Sequence, residues 1–159
     1  MTTTTAFYVA VPIVAALLMN ALIYGMGWNS SSKSNDNNNG NGPVRKNNPL
    51  LPPGWVIGLA WVVILGCLGY VYFLLSSIGA GAILFIILWC LMYPVLTGGL
   101  RKNIGPIMNT ATLILSFGAA LAVCMTTDGG RRDALWFMTP LLLWVSYVNI
   151  ADAAYCGFR

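Results

Sequence analysis

Apolar residues run along this chain in five blocks, each of bilayer-crossing length and each closed by polar residues or glycine. The first, Ala6 to Gly27, holds no charge in 22 residues. At about 1.5 Å per helical residue, such a block spans a hydrocarbon core of roughly 30 Å. The others run Trp55 to Leu75, Ala82 to Leu100, Ile104 to Met125 and Ala134 to Phe158. The pattern predicts an all-α membrane protein, one five-transmembrane-helix domain over residues 1–159 with spans 6–27, 55–75, 82–100, 104–125 and 134–158. A cleaved signal peptide is the competing reading of the first block. It is disfavoured because Thr2 to Thr5, not basic residues, follow Met1, and because the block outruns a typical signal core.

The segments between the blocks differ in character. Residues 29–48 are a polar, Asn-rich, low-complexity loop that cannot bury apolar surface. Asn29-Ser30-Ser31 matches a glycosylation sequon, expected to go unused beside the membrane on the cytoplasmic side. Pro52-Pro53 precedes the second span, where the first-turn N–H groups have no helical partner to lose. Ser76 to Gly81 reads as a tight turn. Pro94 and Pro140 lie inside the third and fifth spans and should kink them.

Composition sharpens this into a membrane assignment. Only 8% of residues are charged, against about 25% in soluble domains, so lipid must cover most of the surface. The net charge of +4 comes from small scattered clusters, which argues against a nucleic-acid partner. Arg131 and Arg132 fall on one side of the five spans. Lys33, Arg45, Lys46, Arg101, Lys102 and Arg159 fall on the other. The positive-inside rule makes the second side cytoplasmic, with the N-terminus out and the C-terminus in. Asn-rich low complexity points to a eukaryote or a virus of one. For a eukaryotic source the expected membrane is the mitochondrial outer membrane or the endoplasmic reticulum.

Several chemistries are missing. The chain has no histidine, the commonest general base and metal ligand. Cys67, Cys90, Cys124 and Cys156 fall in four different spans without paired spacing, and read as small buried apolar side chains rather than zinc ligands or disulfides. All lysines lie outside the spans, so a retinal Schiff base has no candidate. Asp152, near the end of the fifth span, is the one ionisable residue within a span, which is thin support for a proton pump or ion-coupled transporter.

Aromatic residues are what remains. Trp28, Trp55 and Trp136 lie near span ends, where tryptophan anchors at the interface. Trp61, Trp89 and Trp144 lie deeper. A deep indole needs a partner for its N–H, so these three are candidates either to line a cavity or to pack between helices.

Three segments carry a resemblance. Pro52-Pro53-Gly54-Trp55-Val56-Ile57-Gly58-Leu59-Ala60-Trp61 resembles the opening of the second helix of the TspO/translocator protein family, the tryptophan-rich sensory proteins or peripheral-type benzodiazepine receptors. Ala134-Leu135-Trp136, Pro140 and Leu143-Trp144-Val145-Ser146-Tyr147 resemble its fifth helix, and Tyr93-Pro94 with Gly99-Leu100-Arg101-Lys102 resembles the end of its third. The matches keep the family's order and spacing from about residue 43 to the C-terminus.

The resemblance implies a homodimeric five-helix receptor that binds tetrapyrroles (porphyrin, haem) and, in animal members, sterols, in an aromatic-lined pocket roofed by the first loop. No cofactor is required. In some bacterial members the family is linked to light-dependent porphyrin breakdown, so the resemblance leaves an enzymatic role open. The implied ligand-binding residues are Trp61, Trp144, Trp55, Leu65, Trp89, Met92 and Val148. The chain departs from the family at Phe85 and Trp89, where Gln and Asn are common, at Met92, where a Trp is usual, and at Val148 and Asp152 in the fifth helix. These changes imply a bulkier, more apolar pocket. The alternative is a membrane structural or interaction protein that keeps the scaffold with a lost or altered ligand site. The tail Tyr155-Cys156-Gly157-Phe158-Arg159 resembles the animal cholesterol motif, but six residues separate Val148 from Tyr155 where the pattern allows up to five. An interfacial anchor is the simpler reading of that tail.

Overall fold

A computed structural model describes residues 3–25, 50–52, 54–75, 78–96, 105–126 and 132–157. The side chains at 23–24, 54–55, 78, 105–106, 132 and 155–157 fall outside that description. The low-complexity loop, the sequon, Trp28, the side chains of the cholesterol-motif tail and every basic side chain therefore lie outside the described residues.

The described chain forms five helices: α1 (Thr3–Gly25), α2 (Gly54–Leu74), α3 (Ile78–Pro94), α4 (Gly105–Thr126) and α5 (Arg132–Gly157). Four are long and apolar enough to cross a membrane. Helix α3 has 17 residues, a little short of the roughly 20 that a span needs. Residues 97–100, the rest of its predicted span, lie outside the described residues.

Two details differ from the sequence expectation. Helix α3 starts at Ile78, so the second half of the expected 76–81 turn is helical. Gly79 serves close packing there: a Cβ would stand 2.6 Å from Thr126 Oγ1 at the end of α4. Pro94 is the last α-helical residue of α3, and residues 95–96 continue as a wider π turn. A ring without an N–H disrupts the regular ladder at that point.

Helices α2, α5, α4 and α3 pack in that order around a closed ring, and α1 docks outside it, chiefly on α2. Only 11% of the α1 span is buried, against 28–33% for α2, α4 and α5, which marks α1 as the peripheral helix. The core comes from stripes that repeat every three or four residues: Ile64, Leu68 and Val71 on α2, Ile83, Ile86 and Cys90 on α3, and Ala134, Met138, Leu141 and Val145 on α5. On α4 the same stripe begins polar, at Asn109, Thr112 and Ser116, and turns apolar at Ala119 and Val123. Small polar residues let membrane helices approach closely. Their hydroxyls are satisfied locally: Thr112 donates to the Met108 carbonyl at 2.7 Å and Ser116 to the Thr112 carbonyl at 2.6 Å.

Backbone contact joins α1 to α2. Pro12 lies inside α1 and has no N–H for the carbonyl of Tyr8, four residues earlier. That carbonyl faces Gly69 of α2, where an added Cβ would stand 2.2 Å from the oxygen. Only glycine, with hydrogen in place of a Cβ, lets the two backbones come this close, as small residues do between membrane helices. The Tyr8 ring also packs on Tyr72 and Phe73, with centroids 5.8 and 5.5 Å away.

The cysteines show no common placement. Cys90 is buried, Cys67 is half-buried and Cys124 is exposed on α4. The exposure of Cys124 departs from the expectation of four buried thiols. In lipid an outward apolar face has no reason to exclude a small polarizable side chain.

Candidate functional site

Two features stand out, an apolar groove along one side of the ring and a polar cluster inside one end of it. The groove runs between α2 and α5 and has a volume of about 490 Å³. Val56, Leu59, Ala60 and Val63 form the α2 wall, and Pro140, Leu143, Trp144 and Tyr147 the α5 wall. Each set repeats every three or four residues, so each is one helix face. Leu59, Val63 and Leu143 are well exposed, so the groove opens sideways toward lipid. Trp144 and Tyr147 lie one turn apart, with ring centroids 6.0 Å from each other. The Tyr147 hydroxyl donates to the Leu50 carbonyl, tying the segment before α2 onto α5 at one end of the groove.

The polar cluster links three helices. Tyr93 of α3 donates its hydroxyl to Asn109 Oδ1 of α4 at 2.6 Å. Asn109 Nδ2 donates to Asp152 Oδ2 of α5 at 2.5 Å. Asn149, one turn before Asp152, donates through Nδ2 to the Asn109 carbonyl at 3.1 Å and accepts from Thr110 at 3.3 Å. Asn109 is 6% exposed, so its amide orientation is set by the protein: the tyrosine donor takes its oxygen, which turns its nitrogen to the carboxylate.

The implied site residues are divided between these features. Trp144 lines the groove. Trp61 lies on the next face of α2, turned to the inside of the ring, 6.4 Å from Tyr93 between ring centroids. Leu65 and Val148 are buried and fill the middle of the bundle. Trp89 packs between helices: its indole N–H donates to Thr112 Oγ1 of α4 at 2.9 Å. Met92 and Phe85 share the outer face of α3, 43% and 54% exposed, because residues seven apart repeat on one helix face. Trp55 falls in the first turn of α2, with its side chain outside the described residues. Trp136 is 74% exposed, as an interfacial anchor would be. Among the described residues no cluster of metal-ligating side chains occurs.

Sequence reasoning passed over Tyr147, Tyr93 and Asn109. For the polar cluster, though not for these three residues themselves, one signal was available. The α5 core positions 134, 138, 141, 145 and 148 step by four and three, and the next step lands on Asp152.

Five apolar helices, a packed interior with a polar end and a sideways-opening groove define a multi-pass helical membrane protein with a lipid-facing recess. The sequence profile of the TspO/MBR family matches residues 15–156, nearly the whole chain, and the protein belongs to that family. No match was found among curated proteins or among solved structures.

Proposed function

We propose that this protein is a TspO-like membrane receptor that holds a flat apolar ligand, of the tetrapyrrole or sterol class, in the groove between α2 and α5. The supporting observation is the Trp144 side chain in a nearly all-apolar groove of about 490 Å³, within the usual range of roughly 300–1,000 Å³ for ligand pockets. A rigid ring system laid against an indole gains dispersion and aromatic contact at little entropic cost. Porphyrin or haem is the ligand in this reading and not a resident cofactor. The working unit is a homodimer.

Titration of the detergent-solubilised protein with protoporphyrin should quench tryptophan fluorescence saturably. Aromatic contacts contribute about 1 kcal/mol, so Trp144→Phe should weaken binding about fivefold. Trp61→Phe, on the inner face, should leave affinity unchanged. Equal affinity in the Trp144→Phe protein would remove the groove from consideration. Repeating the titration under illumination distinguishes a receptor, which leaves the pigment's absorbance intact, from an enzyme that consumes it.

A second reading has its own support. Leu65, Leu68, Leu141 and Val145 fill the middle of the bundle, as they would in a scaffold whose interior has no ligand to admit. A structural or interaction protein of this kind binds neither porphyrin nor sterol saturably.

The proposal places the loop between α1 and α2 and the C-terminus in the cytoplasm, by the distribution of basic residues. Protease added from the cytosolic side should cut the 29–48 loop. Protection of that loop reverses the orientation.

A further inference from the structure

Tyr147 is the one side chain of the groove that can offer an acceptor. Its hydroxyl hydrogen goes to the Leu50 carbonyl, because a carbonyl oxygen can only accept. What the phenol oxygen has left to offer a neighbour is lone-pair capacity, so it can accept but has no second hydrogen to give. The indole N–H of Trp144, one turn away, can only donate, and would serve a ketone as well as a hydroxyl. The remaining lining is valine, leucine, alanine, isoleucine and proline, with no polar side-chain atom and no charge to receive a carboxylate or an ammonium.

We propose that Tyr147 is the specificity-determining residue of the groove. It selects a rigid, neutral amphiphile whose polar end donates a hydrogen bond, a hydroxyl-bearing ligand, over the same skeleton ending in a ketone. The apolar body lies along Val63, Pro140 and Trp144, and the hydroxyl reaches the Tyr147 oxygen at the end of the groove where Leu50 is tied down. An acceptor-only head would set two lone pairs against each other at the Tyr147 oxygen, and that contact makes no hydrogen bond. Sites built around a polar group discriminate by this asymmetry more strongly than apolar pockets discriminate by size. The inference rests on the groove being the ligand site.

The test uses the full chain in phosphatidylcholine nanodiscs. Dehydroergosterol is bound first and read by energy transfer from tryptophan, and cholesterol or its 3-keto analogue is added as competitor. A neutral hydrogen bond contributes about 1 kcal/mol net, so cholesterol should compete about fivefold better than the ketone. In Tyr147→Phe the two should compete equally, and saturable dehydroergosterol binding by the variant reports that it is folded. A preference for cholesterol that persists in Tyr147→Phe overturns the assignment to Tyr147. Equal competition in the unmodified protein overturns the selectivity while leaving the groove as a site. Absence of saturable dehydroergosterol binding overturns the sterol-binding groove and the selectivity with it.

Discussion

Replacing Gly69 with alanine should lower the stability of the protein in detergent by about 2 kcal/mol, the middle of the range for overpacked sites, and valine should cost more. The added Cβ would stand 2.2 Å from the Tyr8 carbonyl oxygen, 3.1 Å from its carbon and 3.2 Å from Pro12 Cγ. Two of those three atoms are backbone, and the third belongs to a ring that cannot rotate away. Helix α1 must therefore move off as a body, drawing Tyr8 away from Tyr72 and Phe73. Gly66, one turn earlier on α2, meets the flexible end of Ile13 at 3.3 Å, and Gly58 and Gly118 meet nothing within 4 Å. Alanine at 58 or 118 should be neutral or slightly stabilising, since glycine is the poorer helix former. Thermal unfolding of the four alanine variants ranks them. A Gly69→Ala protein as stable as Gly118→Ala would show that α1 does not sit against that carbonyl.

The second large effect is expected at Asn109. Replacing it with leucine keeps the volume but takes the acceptor from the Tyr93 hydroxyl and the donor from the Asp152 carboxylate. A half-buried carboxyl group and a tyrosine hydroxyl both lose a partner, so about 2 kcal/mol is expected. Removing both polar partners should restore part of that loss: Asn109→Leu combined with Asp152→Leu should be more stable than Asn109→Leu alone. Tyr93→Phe leaves the carboxylate its donor and should cost only about 1 kcal/mol. A double variant less stable than either single one would mean that Asn109 and Asp152 act separately.

The reason for this asymmetry also explains how much of the structure was legible in the sequence. The helices were readable because apolar blocks of span length have few other uses, and because polar residues or glycine close each block. The family was readable from the double proline before α2 and from the tryptophans and proline of α2 and α5. Which face of each helix turns inward was much harder to read. In water, a polar face and an apolar face distinguish outside from core. In lipid both are apolar, so Leu59, Val63 and Leu143, which border the groove, look the same in sequence as Leu68 and Leu141, which are buried. The pocket residues implied by resemblance therefore scattered. Trp144 reached the groove, Trp61 the inner face, Leu65 and Val148 the core, and Met92 the outer surface.

The residues that do report the interior are the polar ones a membrane helix cannot expose cheaply. Asn109, Thr112 and Ser116 mark the inner stripe of α4, and Asp152 continues the inner stripe of α5. Read for its polar exceptions, α4 shows its orientation directly. Tyr147 escaped notice for a different reason. Its partner is a backbone carbonyl 97 positions away in the chain, and no periodicity links two such positions.

The sideways opening of the groove bears on how any occupant is counted. A recess facing solvent fills according to the molar concentration of free ligand in water. This one faces acyl chains, so its filling follows the mole fraction of ligand in the surrounding leaflet, whatever trace remains dissolved outside. A sparingly soluble compound could saturate it at an aqueous level too low to measure. Diluting the same protein and ligand with more phospholipid would empty it, with no change in the total concentration of either. Half-occupancy is thus best expressed as mole per cent of membrane lipid, and values obtained in micelles of different size will disagree until they are put on that scale.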